Sequence, residues 1–284
     1  MNIIKVTVIG SGIMGNGIAQ VFASSGYQVI LNDVSPDMLD GAKKNIKNSL
    51  KRLIKKEKLS EKESEEIFAK LSFTKDLETA ITGADYIIEA ITENIEMKLK
   101  LFEKIDRLSP PHTIIGSNTS QYSITKLANA TNRASQVIGT HFFNPPVIMK
   151  LVEIVKGVQT SDGTINTTLK LVKSIRKEAV VCSDSPGFIT SRLINLFCNE
   201  AEKIVEEGIA SSEDVDKACR LAFNHPMGPL ELSDFSGLDT RLMASKGLEE
   251  GIGERFKPTR TLRNYVNAGQ LGRKSGKGFY SYEK

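Results

Sequence analysis

The sequence contains no tryptophan, and cysteine and histidine occur only three times each in 284 residues. Cys182, Cys198 and Cys219 form neither a paired disulfide framework nor a metal-ligand spacing, so we expect reduced thiols, a cytoplasmic location and no metal. No apolar run approaches the roughly 18 residues that a membrane-spanning helix needs. The chain starts directly with a strand pattern, so no signal peptide is expected. These absences argue against a disulfide-stabilised secreted protein and against a membrane protein.

An excess of charge of one sign is also lacking, because the net charge is only +4. The protein as a whole is therefore not expected to bind nucleic acid. Hydrophobic residues make up 40% of the chain and charged residues 25%, which is typical of a soluble globular protein. The length is too great for one small core and suits two domains.

The strongest positive signal is an apolar run over residues 3–9 that ends in a glycine-rich turn. Gly10 permits the tight turn, Gly12 permits close approach of a pyrophosphate, and Gly15 permits helix-on-strand packing. The helix that follows offers free N–H groups to phosphates. The segment that we expect to bind a dinucleotide cofactor is Gly10, Gly12, Ile13, Met14 and Gly15. The alternative is a glycine-rich turn in another α/β fold.

A second apolar strand, residues 28–31, leads to Asp33, which lies eighteen residues beyond Gly15. A carboxylate at this position accepts hydrogen bonds from the ribose hydroxyls of NAD and repels the 2′-phosphate of NADP. The sequence therefore predicts NAD as the cofactor.

Strand and helix patterns alternate as far as residue 182 and then give way to helices alone. This order predicts an α/β protein in which a Rossmann-type, doubly wound, mostly parallel sheet (residues 1–184) precedes a smaller all-helical domain (185–284). Strands are predicted at 3–9, 28–31, 71–74, 86–89, 113–116, 137–141, 151–155 and 179–182. The longer helices are predicted at 36–58, 61–70, 94–108, 162–176, 188–208, 212–223, 237–247 and 260–268.

His141 is the best candidate for a general base, because it ends a predicted strand at the edge of the sheet where ligands bind. His112 lies in a Pro-Pro turn, and His225 lies in a segment more typical of a structural histidine. Glu153, on the next strand, is the candidate partner that fixes the imidazole tautomer. Ser120 is the candidate donor to the substrate oxygen. The alternative is that His141 is a structural histidine.

Eight basic residues and a single acid occur between Lys43 and Lys58. Helical spacing places Ser49, Arg52 and Lys56 on one face. The helix is either a solvated cationic surface or a docking site for a phosphorylated substrate or carrier. It contains no aromatic residue that could stack on bases.

Several segments in order resemble the L-3-hydroxyacyl-CoA dehydrogenase family, and they span nearly the whole chain: VIGSGIMGNGIAQ, IIEAITEN, SNTS, GTHFFNPP, MKLVEIV, DSPGFI, HPMGPLELSDFSGLD and LGRKSGKGFYSY. The resemblance implies an NAD-binding domain, a helical domain that forms a homodimer, and a substrate cleft between them. It also implies interconversion of L-3-hydroxyacyl-CoA and 3-ketoacyl-CoA, with 3-hydroxybutyryl-CoA as the leading substrate.

The resemblance also assigns roles to individual residues. It makes His141 the catalytic base, Glu153 its carboxylate partner and Ser120 a substrate-binding serine. The residues that it places near NAD, besides the glycine turn, are Asp33, Glu93, Lys98, Ser120, Asn144 and Lys274. Those that it places on the acyl-CoA are Ser49, Lys56, Ser120 and Asn144.

Ser191 departs from the family pattern, because most members have asparagine at this catalytic position. Gln121 and Tyr122 also stand where the family tends to have small and apolar residues. Two other functions therefore remain open. One is a dehydrogenase for an acyl group bound to a carrier protein, and the other is a non-catalytic NAD-binding protein.

Overall fold

The apolar strand segments assemble into one eight-stranded sheet. The structure, a computed structural model, describes residues 3–282. In chain order the strands are β1 Lys5–Ile9, β2 Gln28–Asn32, β3 Leu71–Thr74, β4 Tyr86–Glu89, β5 Ile114–Ser117, β6 Val137–Phe142, β7 Leu151–Lys156 and β8 Glu178–Ser183. They lie in the order β3-β2-β1-β4-β5-β6-β7-β8, and only the β6–β7 pair is antiparallel. The predicted doubly wound, mostly parallel sheet is confirmed.

The central strands are buried along nearly their whole length, as their apolar sequences predict for a sheet covered on both faces. β1 pairs with β2 on one side and with β4 on the other. The direction of winding therefore changes between β1 and β4. In open α/β sheets ligands bind beyond the carboxyl ends of the strands at such a point.

Seven helices connect the strands: α1 Ile13–Ser24, α2 Pro36–Lys55, α3 Glu61–Ala69, α4 Leu77–Ile81, α5 Ile95–Leu108, α6 Ile124–Ala128 and α7 Asp162–Ser174. The two five-residue helices, α4 and α6, are absent from the predicted elements because they are too short to show a helical period. Side-chain caps mark both of them, at Asp76 and Ser123.

The end of α2 differs from the prediction of a helix to residue 58. The helix ends at Lys55, and Glu57 takes a left-handed conformation with φ of 56°. Lys56 therefore follows the last turn instead of lying on a helix face. Ile46 and Leu50 form part of the buried face of this helix.

The chain divides into two units, Met1–Asp184 and Ser185–Lys284. The second contains α8 Thr190–Glu206, α9 Ser212–Phe223, α10 Pro229–Ser236, α11 Leu238–Ile252 and α12 Arg260–Asn267. Only isolated bridges near Lys277 represent β-structure in its described residues. Of all the helices within residues 3–282, none has the length and apolar character that crossing a membrane requires.

Candidate active site

The glycine turn joins β1 to α1 in a conformation that requires two of its glycines. Gly10 has φ of +97°, and a Cβ there would lie 2.5 Å from the Ala90 carbonyl oxygen. A Cβ on Gly15 would lie 1.7 Å from the Gly10 oxygen. A Cβ on Gly12, in contrast, would meet no atom within 4 Å. The protein's own packing therefore does not require glycine at position 12, and the open space there fits a closely approaching pyrophosphate.

The first turn of α1 adds hydrogen-bond donors to this open space. The amides of Ile13, Met14 and Gly15 begin the helix, so they have no acceptor within it. The partial positive charge at this end of the helix dipole also attracts an anion. The turn therefore has the shape and the polarity that a dinucleotide phosphate needs.

Asp33 follows β2 and contacts the same turn. Its Oδ2 accepts hydrogen bonds from the N–H and the hydroxyl of Ser11, both at 2.8 Å. Its Oδ1 accepts from the Ser35 N–H at 3.1 Å. The carboxylate that we predict to bind the ribose is thus held against the glycine turn.

A buried ion pair between Lys98 and Glu89 lies at the carboxyl end of β4, and Glu89 is not among the predicted site residues. Lys98 Nζ is 2.6 Å from Glu89 Oε1 and 3.1 Å from Glu93 Oε2. Glu89 also accepts from the Ser117 hydroxyl at 2.6 Å and from the Ile91 N–H at 2.8 Å. Glu89 is the last residue of the strand YIIE. An acid on an otherwise apolar, fully buried strand was the available signal.

The loop that carries Ser120 is tied to Glu93. Glu93 Oε1 accepts from the Ser120 N–H at 3.0 Å and from the Thr119 hydroxyl at 2.9 Å. The Tyr122 hydroxyl donates to the Glu93 carbonyl at 3.1 Å. Asn118 Oδ1 accepts from the Phe142 N–H at 2.8 Å, which connects this loop to the end of β6. The loops after β4 and β5 therefore form one cross-linked unit.

His141 and Glu153 are brought together on adjacent antiparallel strands. They are register partners, and His141 Nδ1 lies 2.8 Å from Glu153 Oε2. Glu153 is fully buried, and His141 is 7% exposed. A carboxylate only accepts, so Nδ1 carries the proton and Nε2 is the basic nitrogen. The Phe143 ring packs against the imidazole with its centre 4.5 Å away.

Cys182 lies on β8, beside the strand that carries Glu153, and its thiol is a poor candidate for a nucleophile. Burial, together with the charges of Glu153 and Asp184, raises the pKa of Cys182 to about 11. The thiolate is the reactive form of cysteine. The raised pKa therefore favours the protonated thiol of Cys182 at neutral pH.

The cationic helix α2 has two kinds of basic residue. Lys43 and Lys47 lie over the rings of Phe73 and Phe68, at 5.3 and 4.8 Å. On another side of the helix is a cavity of about 200 Å³. Its polar lining residues are Asn16, Gln20, Asn45, Ser49, Arg52 and Asn144. The structure thus brings Ser49, Arg52 and Asn144 together, whereas Lys56 does not line the cavity.

Two predicted site residues belong to the second unit. Ser191 lies in the first turn of α8, and its carbonyl accepts from Asn195 Nδ2 at 2.7 Å. Asn195 in turn accepts from buried Arg241. Lys274 forms an ion pair with Asp239. Their roles in binding substrate and NAD stay predictions.

Comparison with known proteins identifies the family. Residues 5–185 match the NAD-binding domain of 3-hydroxyacyl-CoA dehydrogenase, and residues 187–282 match its C-terminal domain. The chain belongs to the 3-hydroxyacyl-CoA dehydrogenase family.

Individual relatives cover the whole length. The chain is 44% identical to the probable 3-hydroxybutyryl-CoA dehydrogenase of Bacillus subtilis, with 100% of this chain and 99% of that protein aligned. It is 42% identical to the mitochondrial hydroxyacyl-coenzyme A dehydrogenase of Rattus norvegicus, with 98% and 91% aligned. The crystal structure of (S)-3-hydroxybutyryl-CoA dehydrogenase from Ralstonia eutropha superimposes with a TM-score of 0.96 at 41% identity over both full chains.

Family membership confirms the predicted oxidoreductase class and NAD as the cofactor. The residues that fit NAD are those of the glycine turn, where the space at Gly12 is open, and Asp33 beside it. The assignment of the fold and of the cofactor is thus supported by similarity along the whole chain as well as by the glycine-rich motif.

Proposed function

We propose that the protein interconverts short-chain L-3-hydroxyacyl-CoA and 3-ketoacyl-CoA, with 3-hydroxybutyryl-CoA and acetoacetyl-CoA as the preferred pair. The observation that carries this proposal is the contact between His141 and Glu153 at the carboxyl end of β6. Relatives that are named as 3-hydroxybutyryl-CoA dehydrogenases support the acyl chain length.

His141 and Glu153 move and stabilise the proton of the reaction. In oxidation the O–H bond at C3 breaks, and its proton goes to Nε2 of His141. The bonding electrons form the second C–O bond while hydride leaves C3. Bound NAD supplies the acceptor for that hydride. Glu153 accepts the hydrogen bond from the Nδ1–H of His141 and offsets the charge of the imidazolium. The Ser120 hydroxyl donates to the C3 oxygen. Reduction reverses these steps.

We assign the phosphates of the CoA to the side of α2 that carries Ser49 and Arg52, with Lys56 just beyond it. Ser49 and Arg52 line a cavity together with Asn144. The basic residues here are exposed, so they attract a polyanion over a distance. Lys43 and Lys47 are excluded from this assignment, because each already lies over an aromatic ring of the protein.

A panel of thioesters tests the proposed substrate. Acetoacetyl-CoA, longer 3-ketoacyl-CoAs and a carrier-protein-bound 3-ketoacyl group are each assayed with NADH. We expect the highest kcat/KM for acetoacetyl-CoA. A higher value for the carrier-bound group would favour the carrier-dependent enzyme. Binding of NADH without turnover of any thioester would favour the non-catalytic protein.

We also propose a homodimer formed through the helical unit. Leu193 on α8 and Leu221 and Phe223 on α9 are between 61% and 77% exposed, which is unusual for large apolar side chains. Light scattering after gel filtration should give twice the chain mass. Phe223→Glu should give a monomer, whereas Val158→Glu, at an exposed position in the first unit, should not. A monomeric wild type would refute the dimer.

The proposed location is the cytoplasm. All three cysteines are free, which suits a reducing compartment. Fractionation of producing cells is expected to recover the protein with cytoplasmic enzymes, and recovery in a secreted fraction would contradict this assignment.

A further inference from the structure

A charged cluster, here called the acid–lysine cluster, lies at the carboxyl end of β4 and consists of Glu89, Lys98 and Glu93. Lys98 contacts both carboxylates, at 2.6 and 3.1 Å. The side chains of Glu89 and Lys98 are 0% and 1% exposed, whereas that of Glu93 is 25% exposed. Glu93 is therefore the member of the cluster that a bound molecule can reach.

The acid–lysine cluster has one more negative charge than positive charge. Within residues 3–282, Lys98 is the one cation at ion-pair distance from either carboxylate. The other side-chain partners of the two acids are the hydroxyls of Ser117 and Thr119. Hydroxyl and amide donors stabilise a carboxylate, but they do not neutralise it. One formal negative charge therefore remains in a largely buried environment.

The sheet order places this charge on the nicotinamide side of the cofactor site. Asp33, for the adenosine ribose, follows β2, and the glycine turn for the pyrophosphate follows β1. Glu93 follows β4, on the opposite side of β1 from Asp33. A dinucleotide that is bound across the turn therefore extends its other end toward Glu93 and Ser120.

The nicotinamide end is where the charge of the cofactor changes, because the ring is cationic in NAD⁺ and neutral in NADH. We propose that the acid–lysine cluster, through Glu93, selects the oxidised form by stabilising the nicotinamide cation. This inference rests on the NAD site of the proposed function. A unit charge in an environment of low dielectric constant attracts a nearby cation strongly.

Stabilisation of the nicotinamide cation also affects the direction of the reaction. Preferential binding of NAD⁺ lowers the reduction potential of the bound couple, by about 30 mV for each tenfold preference. Bound NADH then becomes a stronger reductant. The site would favour reduction of the ketone relative to the free cofactor.

The test is the ratio of dissociation constants, Kd for NAD⁺ divided by Kd for NADH, measured without acyl-CoA. Titration of NADH fluorescence gives one constant, and displacement of NADH by NAD⁺ gives the other. Glu93→Gln removes the charge while keeping an acceptor for the Ser120 N–H. We expect the ratio to rise about tenfold. Glu93→Asp keeps the charge and should leave the ratio within about twofold of wild type.

Two further variants test the sign and the location of the effect. Lys98→Gln leaves a second charge uncompensated, so the ratio should fall. Asp162→Asn removes an exposed acid at the start of α7. The N–H of Ser161, the cap of this helix, donates to the Ser135 carbonyl just before β6. Asp162 therefore lies at the end of the sheet opposite to Glu93. This variant should leave the ratio unchanged. Thermal unfolding checks that each variant is folded.

The outcomes separate this inference from the proposed function. Equal weakening of NAD⁺ and NADH by Glu93→Gln would overturn the inference, since the residue would then only position the cofactor. A rise in the ratio of dissociation constants in Lys98→Gln, as in Glu93→Gln, would also overturn the inference. The expected shifts in a protein that does not turn over acetoacetyl-CoA would support the inference and refute the substrate assignment.

Discussion

Glu153 lies directly opposite His141 in the antiparallel pair of β6 and β7. The proposed base and its carboxylate partner are therefore held by the backbone hydrogen bonds of a buried sheet and not by a loop. Side chains alternate between the two faces of a strand, so a one-residue shift of β7 would move Glu153 to the wrong face. Formation of the His141–Glu153 contact thus depends on correct strand register.

Substitution of either residue of this pair should sharply lower turnover while leaving the cofactor site intact. We expect His141→Ala to lower kcat by about 10²- to 10⁴-fold, the usual range for a positioned acid–base group. Glu153→Gln should also lower kcat severely, because the imidazolium loses its counter-charge. The Kd for NADH, measured in parallel, should change little. Near-normal turnover in His141→Ala would exclude this residue as the base.

The glycine turn offers a matched pair of variants that separate binding from folding. Gly12→Ala adds a Cβ that meets no protein atom, so it should fold normally and lose NADH affinity. Gly15→Ala places a Cβ 1.7 Å from the Gly10 oxygen. The resulting strain should destabilise the protein by about 1–3 kcal/mol or more. Thermal unfolding and NADH titration of both variants measure the two effects. Unchanged NADH affinity in Gly12→Ala would contradict the pyrophosphate assignment.

Asp33 should make NADH the preferred coenzyme. The carboxylate repels the 2′-phosphate of NADPH, and no arginine follows closely to bind it. We expect kcat/KM with NADH to be at least about tenfold higher, equivalent to roughly 1.4 kcal/mol. Assays of acetoacetyl-CoA reduction with both coenzymes measure this preference. Equal values for the two coenzymes would show that Asp33 does not select against the phosphate.

The cations near the α2 cavity should contribute to CoA binding. Lys56→Ala and Arg52→Ala should raise KM for acetoacetyl-CoA, leave KM for NADH nearly unchanged, and matter less at high salt, since salt screens exposed charges. Lys47→Ala is the control, because Lys47 lies over Phe68. A substrate truncated to its pantetheine arm lacks the phosphates of the adenosine end. If the variants weaken that substrate as much as full CoA, these residues have another role.

Ser191 should modify activity without abolishing it. Asparagine offers a donor and an acceptor on a longer side chain, whereas serine has one hydroxyl near the backbone. A lost neutral hydrogen bond is worth about 0.5–1.5 kcal/mol, or about threefold to tenfold in rate. For an acetoacetyl-CoA reductase, Ser191→Asn should therefore maintain or raise kcat/KM. A marked fall with acetoacetyl-CoA would mean that Ser191 does not occupy the position of the family's asparagine.

The sequence predicted the elements that have a clear period or a strong motif. The strands at 71–74 and 86–89 were predicted with the bounds that the structure has. Helices α4, α6 and α10 were missed because they are at most eight residues long and are defined by caps or proline. Glu89 was missed for a different reason: its contacts join β4, β5 and α5, and a single strand sequence does not reveal partners 9 and 28 residues away.

If Asp33 selects the coenzyme as proposed, its hydrogen bonds with Ser11 connect that selection to the shape of the glycine turn. A lineage that replaced Asp33 with a small residue to admit NADPH would lose two bonds that fix that turn in the same step. The first substitution would weaken the binding of both NADH and NADPH before it favoured NADPH. A switch of coenzyme in this protein would therefore also have to replace the contacts that Asp33 makes with the glycine turn.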